Sequence, residues 1–136
     1  MARREIGRQR EARDVLITLD EMSRKQYVPP YARALVHAGL GDRNAALDWL
    51  ERYTAIPYAF GKFDIVLIPS FQFSGMEHAG AILYNQAALM LDESATQNQK
   101  LGRASLIAHE TAHMWFGDLV TMRWFNDVWM KEVFAN

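Results

Sequence analysis

The sequence predicts an α+β chain, with a helical region over residues 1–53 followed by a short sheet and further helices over residues 54–136. Three observations predict it. From the amino end to about residue 26 there is no proline, and Ile6, Val15, Leu16, Leu19 and Met22 form an apolar pattern of helical type. Ile65, Val66, Leu67 and Ile68 are consecutive and precede Pro69, which reads as a buried strand. Between Leu106 and Phe116 a further helical stretch carries His109, Glu110 and His113.

Composition narrows the class. The chain has 136 residues, half of them hydrophobic, and a formal net charge of -1, which fits a globular protein and offers no basic surface for nucleic acid. It has no cysteine, so disulfides and thiolate metal sites are excluded. No apolar run approaches the ~20 residues of a membrane span, and the amino end lacks the apolar core of a secretory signal. A cytoplasmic location is the expectation.

In order, the first helix carries Arg3, Arg4, Arg8, Arg10 and Arg13 against Glu5 and Glu11, a local 5 − 2 = +3 that reads as a solvated face. Tyr27-Val28-Pro29-Pro30 breaks it, and Pro30 opens a short helix over Tyr31 to His37. Gly39-Leu40-Gly41 closes that helix, and Asp42 caps a third, Arg43 to about Arg52, with Ala46, Leu47 and Leu50 on one side. This helix, Gly-Asp turn, helix arrangement resembles one tetratricopeptide-type repeat. Such a repeat implies a surface for a protein partner through residues 1–53, or a structural remnant, since one copy cannot bury its own face.

Ile56 to Phe63 reads as a loop entering the strand Asp64 to Pro69. Phe71-Gln72-Phe73 alternates, Gly75 to Gly80 is flexible enough for close approach of a ligand, and Ala81-Ile82-Leu83-Tyr84 is a second strand. Leu89-Met90-Leu91 suggests another strand, and residues 92–98 form a polar loop. Helices over about 98–116 and from about 126 to the end complete the chain, with Trp115, Trp124 and Trp129 expected to pack around them.

The chemistry gathers on the helix over 98–116. Residues four apart lie about 40° apart around a helix, so His109 and His113 can reach a single ion, and Glu110 is turned aside as a base acting on water. A catalytic zinc takes a third protein ligand. Glu132, separated from His113 by eighteen intervening residues, is a candidate on the following helix. Asp118 and Asp127 compete; Asp118 falls where the helix is ending at Gly117, and Asp127 falls near the start of the next helix, where it can serve that N-terminus.

These residues resemble the gluzincin zinc aminopeptidases typified by membrane alanyl aminopeptidase and leukotriene hydrolase. The resemblance rests on His109-Glu110-Thr111-Ala112-His113, on Trp115 to Met122 and Trp124 to Asp127 after it, on Glu132, and on Ser74-Gly75-Met76-Glu77-His78 upstream. It covers about Tyr53 to Asn136 and implies part of a thermolysin-like domain over residues 54–136, a short antiparallel sheet beside zinc-binding helices. It further implies one zinc ion on His109, His113 and Glu132, with Glu110 as the base. Glu77 binds the free amino end of a peptide substrate, together with Gly75, Met76 and His78. A peptide adds to the sheet edge at Glu77 as another strand.

The chain departs from the family pattern at several positions. His78 stands where Asn is usual, Ser74 and Gly75 replace Gly and Ala, and Val133 replaces the Gly after the third ligand. The family's oxyanion-stabilising tyrosine lies well beyond the third ligand, and this chain stops four residues after Glu132. In that family the catalytic domain normally follows a β-rich amino-terminal domain, so with a helical segment in front the expectation is a fusion, a fragment or a shortened reading frame. Two functions follow. One is a zinc aminopeptidase releasing single amino-terminal residues by attack of a metal-activated water. The alternative is an inactive, truncated zinc-binding fragment whose helical front end binds a protein partner.

Overall fold

The computed structural model describes residues 2–28, 30–40 and 42–136, with the side chains of 2–9, 11, 31, 35, 38, 39 and 43 excepted. Pro29 and Gly41, expected at chain breaks, and the side chains of Ile6, Arg3, Arg4, Arg8, Glu5 and Glu11 lie outside the described residues. The chain divides into two compact units, residues 1–56 and 57–136.

The first unit holds helices α1 (Ala2–Ser23), α2 (Pro30–Gly39) and α3 (Arg43–Thr54). Asp42 caps α3, its carboxylate accepting from the Ala45 amide at 3.1 Å and so satisfying a donor that the first helical turn leaves free. Of the apolar face read in the sequence, Ala46 and Leu50 are buried and Leu47 is partly exposed; Ala34 and Val28 are buried as well. Arg33 ties α2 to α1. Its guanidinium donates to Asp20 at 2.8 and 3.0 Å and to the Leu19 carbonyl at 3.2 Å, while lying 4.7 Å over the Trp49 ring.

In the second unit, β1 (Asp64–Ile68), β2 (Gly75–Met76) and β3 (Ala81–Asn85) form a sheet in the order β1-β3-β2. The sheet is mixed, not antiparallel as expected: β2 runs antiparallel to β3, but β1 pairs with it in parallel, Ile65 opposite Ile82 and Leu67 opposite Tyr84. The connection from Ile68 to Ala81 is long enough for a crossover, and it lays β2 on the far side of β3 before returning. A second correction concerns burial. Ile65, Val66 and Leu67 are exposed, and β1 is an edge strand of the sheet. Ile82 and Tyr84 on the central strand are fully buried instead.

Leu89 to Leu91 is not a strand. Asn85 ends β3 and accepts from the Ala87 amide at 3.0 Å, which starts the single turn α4 (Gln86–Leu89) before Leu89 can extend. Helix α5 (Gln97–Ala112) begins at a capping box. The Thr96 hydroxyl accepts from the Gln99 amide, and the Gln99 side chain accepts from the Thr96 amide at 2.8 Å. The helix reaches the core through Ala108, Glu110, Thr111 and Ala112, and Met114 and Trp115 continue the burial. Tyr58 packs edgewise on Phe60 and Phe63 and lies 5.6 Å from Trp115.

The chain leaves α5 at His113 and turns at Gly117, whose φ of +139° lies in the region that favours glycine. A 3-10 turn, Phe125–Asp127, leads into α6 (Val128–Ala135). Asp127 occupies the position before α6, but its side chain makes no capping bond. Of the three tryptophans expected around these helices, only Trp115 is buried; Trp124 and Trp129 project from short elements with few neighbours and are exposed. No helix among the described residues is long and apolar enough to cross a membrane.

Candidate metal centre

His109 and His113 stay one turn apart although α5 ends between them, because His113 keeps helical angles and its amide still bonds to the His109 carbonyl at 3.2 Å. Their rings meet edge to face with centroids 4.6 Å apart. The Nε2 atoms face each other at 3.2 Å, and Glu132 Oε2 on α6 lies 3.3 Å from His109 Nε2 and 3.6 Å from His113 Nε2. Three donor atoms from two helices therefore converge.

This donor set fits a divalent cation. His113 Nδ1 lies 2.9 Å from the Phe116 carbonyl, which can only accept, so the ring proton sits on Nδ1 and Nε2 presents its lone pair. Burial pushes the His109 pKa down, and neighbouring His113 adds to that, so the ring favours its neutral form, the one that can ligate a cation. The His113 lone pair, His109 Nε2 and the Glu132 carboxylate oxygen face one another closely enough for a single divalent cation to accept all three. Nitrogen and oxygen donors without thiolate suit zinc among the common ions.

Glu110 is buried beside this cluster, and its carboxylate lies against the backbone of Gly75 so closely that a Cβ there would collide with it. Gly75 is thus needed by the acid as well as by the strand. Burial, then the charges of Glu77 and Glu132, push the Glu110 pKa up to about 7. Oxygen atoms of Glu77 and Glu110 and a nitrogen of His113 also lie within 4.8 Å of one another. Beneath Glu110, burial and then its charge push the Tyr84 phenol up, so that ring remains neutral.

The upstream residues lie at the sheet edge. Gly75 pairs with Tyr84 and Met76 with Leu83, while His78 is exposed just after β2 and its amide bonds to the Met76 carbonyl at 3.1 Å. Glu77 forms an ion pair with Lys131 of α6. Burial raises the Glu77 pKa, but the Lys131 hydrogen bond, a backbone hydrogen bond and the charges of His113 and Lys131 together outweigh it, and the result lies below the ordinary carboxylate value. Asp118 and Asp127, the competing acids, appear in neither convergent donor group among the described residues. The Asp118 amide instead bonds to the His113 carbonyl at 3.0 Å, closing the turn.

Two features escaped sequence reasoning. The Phe116 carbonyl carries no side-chain signal, since it depends on the chain turning after His113. Lys131 did offer a signal, a cation next to Glu132, but adjacent residues on a helix point different ways and the pairing with Glu77 needed the tertiary structure.

The peptidase family M1 domain matches residues 39–136. Over 89 residues the chain is 46% identical to "Probable aminopeptidase 1" of Sulfurisphaera tokodaii, covering 65% of this chain and 11% of the relative. It is 42% identical over 110 residues to human endoplasmic reticulum aminopeptidase 2, covering 80% of this chain and 12% of the relative. It is 47% identical over 90 residues to human endoplasmic reticulum aminopeptidase 1, covering 65% of this chain and 10% of the relative. The chain thus spans about a tenth of the length of these curated relatives.

Proposed function

The chain belongs to peptidase family M1, and from that premise we propose that it contributes the zinc and amino-end subsites of an aminopeptidase. The observation that carries the reading is the convergence of His109, His113 and Glu132, with Glu110 buried alongside. In this reading the mixed sheet and α5 are part of a thermolysin-like arrangement.

His109, His113 and Glu132 hold one zinc ion. When bound, it supplies a Lewis acid that lowers the pKa of water and polarises the peptide carbonyl. Glu110, buried beside the donor set, accepts a proton from the attacking water and gives one to the leaving nitrogen as the C–N bond breaks. The proton count closes on Glu110. Its place against Gly75 keeps it from swinging away.

Glu77 receives the ammonium of a peptide with a free amino end, which holds the first peptide bond in register and limits release to one residue at a time. The half-buried Gly75 and Met76 offer the strand edge along which the peptide lies. The exposed His78 presents an imidazole where substrate backbone passes.

The test is hydrolysis of amino-acid anilides with free and acetylated amino groups, before and after chelation and zinc restoration. Hydrolysis confined to free amino ends and dependent on zinc supports the reading. Bound zinc with no hydrolysis of either substrate would favour the inactive zinc-binding alternative.

A further inference from the structure

Lys131 sits on α6 immediately before Glu132, and its ammonium is placed between two acids. It is bonded to Glu77 Oε1 and lies 3.4 Å from Glu132 Oε1. Its stem runs over the turn after α5: a Cβ on Gly117 would stand 3.4 Å from Lys131 Cδ. A lysine side chain between two carboxylates is an ammonium at neutral pH, with three donors to share between them.

A lysine side chain and the amino end of a peptide present the same group, a primary ammonium with three donors. Glu77 already holds one. We propose that Lys131 is a specificity-determining residue, an internal ammonium that occupies the place of the substrate's amino end on Glu77 and must be displaced before a peptide binds. This rests on the reading of Glu77 as the amino-end subsite.

The lysine then acts through Glu77 and touches no reacting atom. Binding is weakened by the fraction of the time that Glu77 is already engaged. If Lys131 occupies it nine-tenths of the time, the apparent affinity for an ammonium falls about tenfold. Groups unable to replace the lysine's charge, such as an acetylated amino end, leave the Lys131–Glu77 pair intact and gain nothing.

The experiment is calorimetric binding of L-alaninamide, with N-acetyl-alaninamide as control, to the metal-free and zinc-loaded chain and to Lys131→Met, Lys131→Arg and Glu77→Gln. Lys131→Met removes the competitor and keeps the stem, so alaninamide should bind about tenfold tighter while the acetylated control is unchanged. Lys131→Arg retains a cation and should keep the weak affinity of the parent. In turnover of an alanyl anilide, Lys131→Met should lower KM more than it changes kcat.

The two readings fail differently. Alaninamide affinity that is the same in Glu77→Gln as in the parent would overturn the Glu77 subsite, and the lysine proposal with it. Affinity lost in Glu77→Gln but not raised in Lys131→Met, or raised equally in Lys131→Arg, would overturn the lysine proposal alone.

Discussion

Helices α5 and α6 bring the donor atoms together, yet they are built differently. Helix α5 begins at a reciprocal capping box and ends in the core, with His113 and Trp115 each 1% exposed and Glu110 5% exposed. Helix α6 has eight residues and no side-chain cap at its amino end, and Trp129, Val133 and Phe134 are each about 60% exposed. The Phe116–Phe134 stack and the Lys131–Glu77 pair hold it to its neighbours. The contrast teaches that the histidine pair and Glu110 are fixed by folding, whereas the third donor depends on a lightly held helix that a metal ion would secure.

The largest effect expected from this contrast is chemical. Glu110→Gln keeps the shape of the buried side chain but removes the proton acceptor, so anilide turnover should fall by about 10²–10⁴. Zinc content by elemental analysis should stay at the parent value. A variant that loses zinc as well would show that Glu110 is part of the ligand set and that α5 is not an independent frame.

Packing gives the next test. Trp115→Ala opens a cavity in the core of the second unit and should destabilise it by about 3–5 kcal/mol in urea unfolding. Trp129→Ala on α6 should fall within about 0.5 kcal/mol of the parent, as surface substitutions do. Equal losses at the two tryptophans would erase the distinction between the helices.

A smaller effect is expected from pH on the metal-free chain. Glu110 titrates near 7 when folded against 4.5 as a model group. Between those values the folded state binds more protons than the unfolded state, so stability is fully present below about 4.5 and is lost as pH rises through about 7. The total is on the order of 3 kcal/mol. Urea midpoints measured across this window should fall with pH in the parent and lose this component in Glu110→Gln. A rise with pH would mean that Glu110 is stabilised as a carboxylate, contrary to its burial.

Much of the site was legible in the sequence because it obeys helical spacing. His109, Glu110 and His113 lie along one helix and its C-cap, and Asp42 announces the start of α3 through its short polar side chain, whereas the Thr96 cap of α5 reads in the sequence as part of a polar loop. The convergence of Glu132 with the histidines was expected from the family resemblance, and the structure brings its carboxylate within 3.6 Å of both rings.

The sheet was less legible. Ile65 to Leu67 read as buried because consecutive apolar residues mark interior strands, but the sequence holds no sign of which strand is central, and β3 takes that place. Leu89 was misread because the turn at Asn85 depends on one side-chain bond rather than on periodicity. Lys131 pairs with Glu77 across 54 positions of sequence, a separation that no local pattern can reveal.

Zinc titration of the metal-free chain and of Glu132→Ala, followed by calorimetry, tests the central claim most directly. The account predicts one ion per parent chain and, in the variant, binding weaker by at least about a hundredfold, since even partners behind the ligands change affinity by 10–100-fold. Equal affinity in the two chains, or no zinc bound by the parent, would contradict it.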